Sequence, residues 1–195
     1  NCGSHAESRG SEKKWYPHIK GGEFRKWYGN LEYVLNWKHD GEELYAFASK
    51  LYKSPTRIIK STEFYFKPCI TWSHTTAKKQ FAVRSISSGT IFNVEAPSMF
   101  DVKDFSYFVA LMNSKIFTHF FVVINETIHF LAGDTAVLPV VYSPDDKIGN
   151  LSDTNVAISR ADWDSFETSW DFKRHPLISG ERTVAVAFGK WEHEA

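Results

Sequence analysis

The chain of 195 residues is poor in cysteine and methionine, with two of each, and its 23 Lys and Arg cancel its 23 Asp and Glu. Cys2 and Cys69 alone can build neither a metal cluster nor a disulfide framework, so a reducing, cytoplasmic setting is the simpler expectation. No apolar run approaches the roughly 18 residues that a membrane helix needs. The nearest, residues 105–124, is interrupted by Asn113, Ser114, Lys115 and His119; it reads as a buried helix, and no membrane partner is expected. Residues 1–14 lack the apolar stretch of a signal peptide. Gly3-Ser4-His5 resembles a tag scar, which sets that stretch apart as a flexible leader or tag remnant. The spaced glycines and Lys-Ser/Thr of a phosphate-binding loop are missing, and so is a Gly-x-Ser-x-Gly nucleophile elbow. His18, His74, His119, His129 and His175 show no metal-ligand spacing. Neither a catalytic residue nor a metal site is therefore expected.

Aromatic residues, by contrast, are plentiful: 16 Phe, 8 Tyr and 7 Trp. With 43% hydrophobic residues the chain has enough for one full core, built largely from flat rings. Charge is unevenly spread. Residues 13–90 hold 14 Lys and Arg against 6 Asp and Glu, and residues 91–195 hold 8 against 15. A basic half suits a polyanion, although two halves of opposite sign can equally neutralise each other across an interface.

Periodicity predicts an α+β chain with small mixed or antiparallel sheets and a long central helix. Strands are expected at 32–37, 63–66, 70–73, 127–131 and 136–141, with a hairpin formed by 81–86 and 90–94. Helices are expected at 42–53, over 102–124 with a break near Asn113-Ser114, and at 160–169 and 181–193. Residues 143–156 read as a polar loop. The expected division is a leader (1–14), a main folded domain (15–143) and a C-terminal polar and helical segment (144–195).

The densest cluster of binding chemistry is the run at 15–30. Gly21-Gly22 permits positive φ and close backbone approach, and Lys20, Arg25 and Lys26 flank it as phosphate-seeking donors. A second stretch offers Thr71, Ser73, His74, Thr75 and Thr76 to base edges, with Lys78, Lys79 and Arg84 as cations. Pro144-Asp145-Asp146 with Asp171-Phe172-Lys173 imitates a metal-dependent nuclease, but neither falls on a predicted central strand. Trp163, Phe166 and Trp170 are spaced as one helical face, suited to packing or docking.

Several of these segments together resemble the C-terminal region of PglX proteins, the adenine-specific DNA methyltransferases of BREX phage-exclusion systems. They are Lys20-Gly21-Gly22-Glu23-Phe24-Arg25-Lys26-Trp27-Tyr28-Gly29-Asn30 with Tyr33 to Trp37, Ile70-Thr71-Trp72-Ser73, and Gly89-Thr90-Ile91-Phe92-Asn93. Leu111-Met112-Asn113-Ser114-Lys115, Gly133-Asp134-Thr135-Ala136-Val137-Leu138-Pro139-Val140 and the stretch from Asp162 to Phe172 extend the likeness. The resemblance implies a target recognition domain behind a methyltransferase module, as in type IIG restriction-modification proteins. Double-stranded DNA is then the expected partner, read by Lys20, Gly21, Gly22, Arg25, Lys26, Thr71, Ser73, His74, Lys78, Lys79 and Arg84. S-adenosylmethionine would serve the parent enzyme and no cofactor this chain, which has no Asn/Asp-Pro-Pro-Tyr/Phe motif and no glycine-rich cofactor loop. The alternative role is docking of other BREX components or of a phage-encoded DNA-mimic inhibitor.

Overall fold

A computed structural model describes residues 3–76, 80–143, 145–178 and 180–194. Two three-stranded sheets organise the chain. The first runs β2-β1-β5, with β1 (Trp15–Ile19) antiparallel to β2 (Tyr33–Asn36) and parallel to β5 (Ile91–Phe92). The second runs β4-β3-β6 and is antiparallel throughout, with β3 (Cys69–Trp72) between β4 (Val83–Ile86) and β6 (Ser98–Phe100). All four residues of β3 are buried, as its apolar sequence requires of a central strand. The expected mixed and antiparallel sheets of an α+β chain are therefore present.

Helix α1 (His5–Arg9) lies against α2 (Lys38–Leu51), whose start is reshaped by positive φ at His39, Asp40 and Gly41. Residues 3–14, set apart as a leader, are held to the fold there. Asp40 accepts from His5 Nδ1 at 2.5 Å and from Arg9 Nε at 3.0 Å, and Ser8 is buried. These contacts hold the Asp40 carboxyl below its usual range even though partial burial, the largest single influence, pushes it up.

Trp37 and Tyr16 anchor the core under the first sheet. The main core lies between the second sheet and the helices α3 (Phe105–Asn113) and α4 (Lys115–Ile124), with Phe81 stacked on Phe121 at 4.4 Å. The predicted long helix breaks where expected: its halves bend by 65° at Ser114, whose Oγ accepts from the Phe117 amide and restarts the helix. Asn113 fixes this bend against the sheet, its side chain exchanging two 3.0 Å hydrogen bonds with the backbone of Val83. Among the described residues no single helix is long and apolar enough to cross a membrane.

Five expected elements are not found. Residues 63–66 do not form a strand, because Ser61 and Phe66 adopt positive φ around a 3₁₀ turn at Thr62–Phe64. The hairpin of 81–86 with 90–94 is absent. The outer edge of β4 is already taken by Trp27, whose N–H donates to Val83 and whose carbonyl accepts from Ser85, so β5 pairs with β1 instead. The strands at 127–131 and 136–141 reduce to one Thr75–His129 bridge and a short helix α5 (Ala132–Ala136). The polar stretch 143–156 enters a 19-residue helix α6 (Asp146–Asp164), capped by Asp145 and packed on α3, with Ser106 donating to Asp153 at 2.6 Å. A helix with only a narrow buried stripe looks like a loop in sequence. The last expected helix is present as α7 (Val184–Glu194).

Candidate nucleic-acid interface

The loop leaving β1 crosses from the first sheet to the second before returning to β2. Gly21 has φ +83°, and a Cβ there would lie 2.6 Å from the carbonyl oxygen of Glu95. Gly22 has φ +133°, and its Cβ would fall 2.8 Å from Asn30 Nδ2. The glycine pair is thus demanded by the protein's own packing, and Ser73 Oγ donates to the Gly22 carbonyl at 2.9 Å. Asn30, itself at positive φ, closes the loop by donating to the Glu23 carbonyl at 2.9 Å.

The three cations of this loop have different employments. Arg25 donates to Asp162 at 2.8 Å and lies 5.0 Å from the ring centre of Trp163. Gly29 makes room for this, since a Cβ there would sit 2.4 Å from Arg25 Cδ. Lys26 donates to the carbonyl of Asn113 at 2.8 Å, a cation on the C-terminal end of α3. Lys20 is exposed and sits 5.2 Å over the ring of Tyr33. Arg25 and Lys26 therefore fasten α6 and α3 to the loop, and Lys20 faces outward.

The second set of expected contacts divides likewise. Thr71 is fully buried, donating to the Pro97 carbonyl at 3.1 Å. Arg84 is 1% exposed, with both terminal nitrogens 3.5 Å from Ser73 Oγ and no partner for Nε. Burial lowers its pKa to about 10, which leaves it charged at neutral pH. Thr71, Ser73 and Arg84 are interior groups, so their expected base contacts are not available on this surface; β3 and β4 place them in the sheet's core. Lys78 and Lys79 lie outside the described residues. His74 is half-buried, with Nδ1 at 3.1 Å from Thr75 Oγ1 and 3.8 Å from Glu95.

An open groove of about 680 Å³ lies beside Lys20, lined by Gly22, Glu23, Phe24, Glu32, Tyr33, Thr75, Thr76 and Gln80. It combines exposed rings at Phe24 and Tyr33 with hydroxyl, amide and carboxylate groups. Phe24, Tyr33 and Gln80 escaped the sequence reading. Tyr33 had one visible signal, an aromatic at the start of a strand whose outer edge is solvent-facing. The two acidic segments of the nuclease alternative are employed otherwise: Asp145 caps α6, and Asp171 lies 3.7 Å from Arg160. Among the described residues no group of three or more His, Cys, Asp or Glu could hold a metal ion.

No protein-family model matches the chain. It is 34% identical over 195 residues to the "Adenine-specific methyltransferase PglX" of Lacticaseibacillus casei (strain Zhang), an alignment covering 94% of this chain and 16% of that protein. It is 32% identical over 182 residues to the "Adenine-specific methyltransferase BrxX" of Escherichia coli O9:H4 (strain HS), covering 91% and 14%. The chain thus spans only about a sixth of the length of these curated relatives.

Proposed function

Because the chain is homologous to a segment of the adenine-specific methyltransferases PglX and BrxX, we propose that it is the DNA-reading region of such an enzyme. It would be a target recognition domain that positions duplex DNA for a methyltransferase module elsewhere in the parent polypeptide. That module would bind S-adenosylmethionine and methylate adenine in a cytoplasmic BREX defence system, whereas this chain carries neither activity by itself. The groove beside Lys20 is the observation that carries the reading. There Thr75, Thr76 and Gln80 offer mixed donors and acceptors to base edges, and Lys20, over the Tyr33 ring, supplies an exposed cation for phosphate, with His74 nearby in sequence. Glu23 and Glu32 in the same groove suit a cytosine amino group and disfavour indiscriminate phosphate binding. Lys78 and Lys79 remain proposed phosphate contacts, and Arg25 and Lys26 become anchors that shape the loop.

Fluorescence anisotropy of labelled duplexes with a randomised core, measured at two salt concentrations, tests this. Lys20→Ala is expected to weaken binding to all sequences and to flatten the salt slope by about one unit. Gln80→Ala should instead relax preference at one position, at a cost of ~1–3 kcal/mol. If both variants weaken every sequence alike, the groove reads no bases.

A second surface supports a docking role within the parent protein. Helix α4 buries Phe117 and Phe121 yet exposes Ile116 at 71% and Val123 at 64%. Phe120, Val122 and Ile124 are exposed on the same helix, and a contiguous apolar patch of this kind marks a surface that another body covers. The methyltransferase module of the same polypeptide is the proposed cover; other BREX proteins or a phage-encoded DNA-mimic inhibitor are the alternative partners.

A further inference from the structure

On the far side of β2 from the groove lies a cleft of about 530 Å³. Its walls are Trp15 and Pro17 from β1, Tyr28 from the crossing loop, Trp163 from α6 and Trp170 from the turn that follows, with Arg160 and Asp171 between them. The volume falls within the range of sites that enclose small ligands, and the lining sets four aromatic rings among the hydroxyls of Ser87, Ser88, Thr90 and Ser169.

Two of these rings are placed for a ligand. Trp15 is 60% exposed and Trp170 58%, although both belong to a residue type that folded chains usually cover. The side chain of Trp170 has no ring contact or hydrogen bond among the described residues, whereas Tyr28 already carries Arg160 and Trp163 already carries Arg25, each at 5.0 Å. Lys14 touches only one side of Trp15, at 5.3 Å. Trp15 and Trp170 therefore keep indole faces free within the cleft, unlike the two internally stacked rings.

The polar lining narrows the ligand class. Arg160 and Asp171 stand 3.7 Å apart, so the lining charges cancel and the cleft is neither an anion nor a cation trap. A donor group beside an acceptor group suits the edge of a nucleobase, and the exposed rings suit its face. We propose that this cleft binds a nucleobase, stacked against Trp170 and Trp15 with its edge toward Arg160 and Asp171. The choice of a base among flat rings rests on the DNA-reading role. A free nucleotide and an unpaired strand present the same base chemistry to the cleft.

Equilibrium dialysis of the full chain against adenosine monophosphate, thymidine monophosphate and a ten-residue oligothymidylate decides the matter, with an anisotropy titration of duplex DNA alongside. Saturable binding is expected, about tenfold weaker in Trp170→Ala and in Trp15→Ala, restored by Trp170→Phe, and nearly independent of salt. Duplex affinity should be unchanged in these variants. Binding of mononucleotides identifies the free ligand as the source; binding of the oligonucleotide alone identifies the strand, and either supports the site. No binding of any of the three, the result expected if a peptide occupies the cleft, overturns it, as does binding that Trp170→Ala leaves intact. Loss of duplex binding in the wild-type chain with base binding retained would refute the DNA-reading role and leave the cleft standing.

Discussion

Lys20 and Gly21 are neighbours in sequence, and so are Ser73 and His74, yet each pair straddles a boundary between inside and outside. The inner group of Gly21, Thr71, Ser73 and Arg84 is buried at the junction of the loop with the two sheets. The outer group of Lys20, Thr75, Thr76 and Gln80 borders the open groove. Residues of the same chemical type thus divide into those that hold the loop in shape and those that the shape presents. Arg25 and Lys26 make the point within one loop, because their charges are directed at α6 and α3. The uneven charge of the two halves is partly an internal pairing of this kind.

Substitutions can break this contrast. The largest effect is expected from Gly21→Ala, which places a Cβ against the Glu95 carbonyl at positive φ and should destabilise the fold by about 2–4 kcal/mol. Asn113→Ala leaves the Val83 amide without its side-chain acceptor and should cost about 2 kcal/mol. Thermal or urea unfolding measures both; an unchanged midpoint for Gly21→Ala would show that the inner group is not structural, and one for Asn113→Ala that the Val83 contact does not hold the helix bend.

Smaller still is the contribution of His18. Its ring is buried with Nδ1 unpartnered, and desolvation lowers its pKa, with a lesser push in the same direction from Lys20 and an opposing backbone hydrogen bond at Ile91. The unfolded chain therefore takes up a proton near pH ~6.5 that the folded chain refuses. Stability from this residue is complete above that pH and lost as pH falls below it, until the folded form also protonates. Across pH 5 to 8 the wild type should lose stability below pH ~6.5 and His18→Asn should lose less; a wild-type slope that survives the substitution assigns the effect to another group. The smallest effect on stability belongs to Lys20→Ala, within about 0.5 kcal/mol, although it should weaken DNA binding most among the loop cations.

Much of the architecture was legible from local pattern. The apolar run of β3, the amphipathic α2 and the polar interruption at Asn113-Ser114 each carry their explanation within a few residues. Two of the failures share a cause. The pairing of β5 with β1 depends on Trp27 occupying the edge of β4, and α6 depends on a narrow contact with α3. Neither contact lies within a sequence window. The candidate site was legible as a region and illegible as a surface, for the same reason.

The amino-acid sequence by itself determined the α+β class, the ring-rich core, the break in the central helix and the likeness to PglX, since these follow from composition, periodicity and local motifs. The tertiary structure alone decided which cations face solvent, which hydroxyls are spent on backbone carbonyls and where two tryptophans come to share a cleft. Burial and partnership are properties of residues distant in the chain, so no reading of neighbours can assign them.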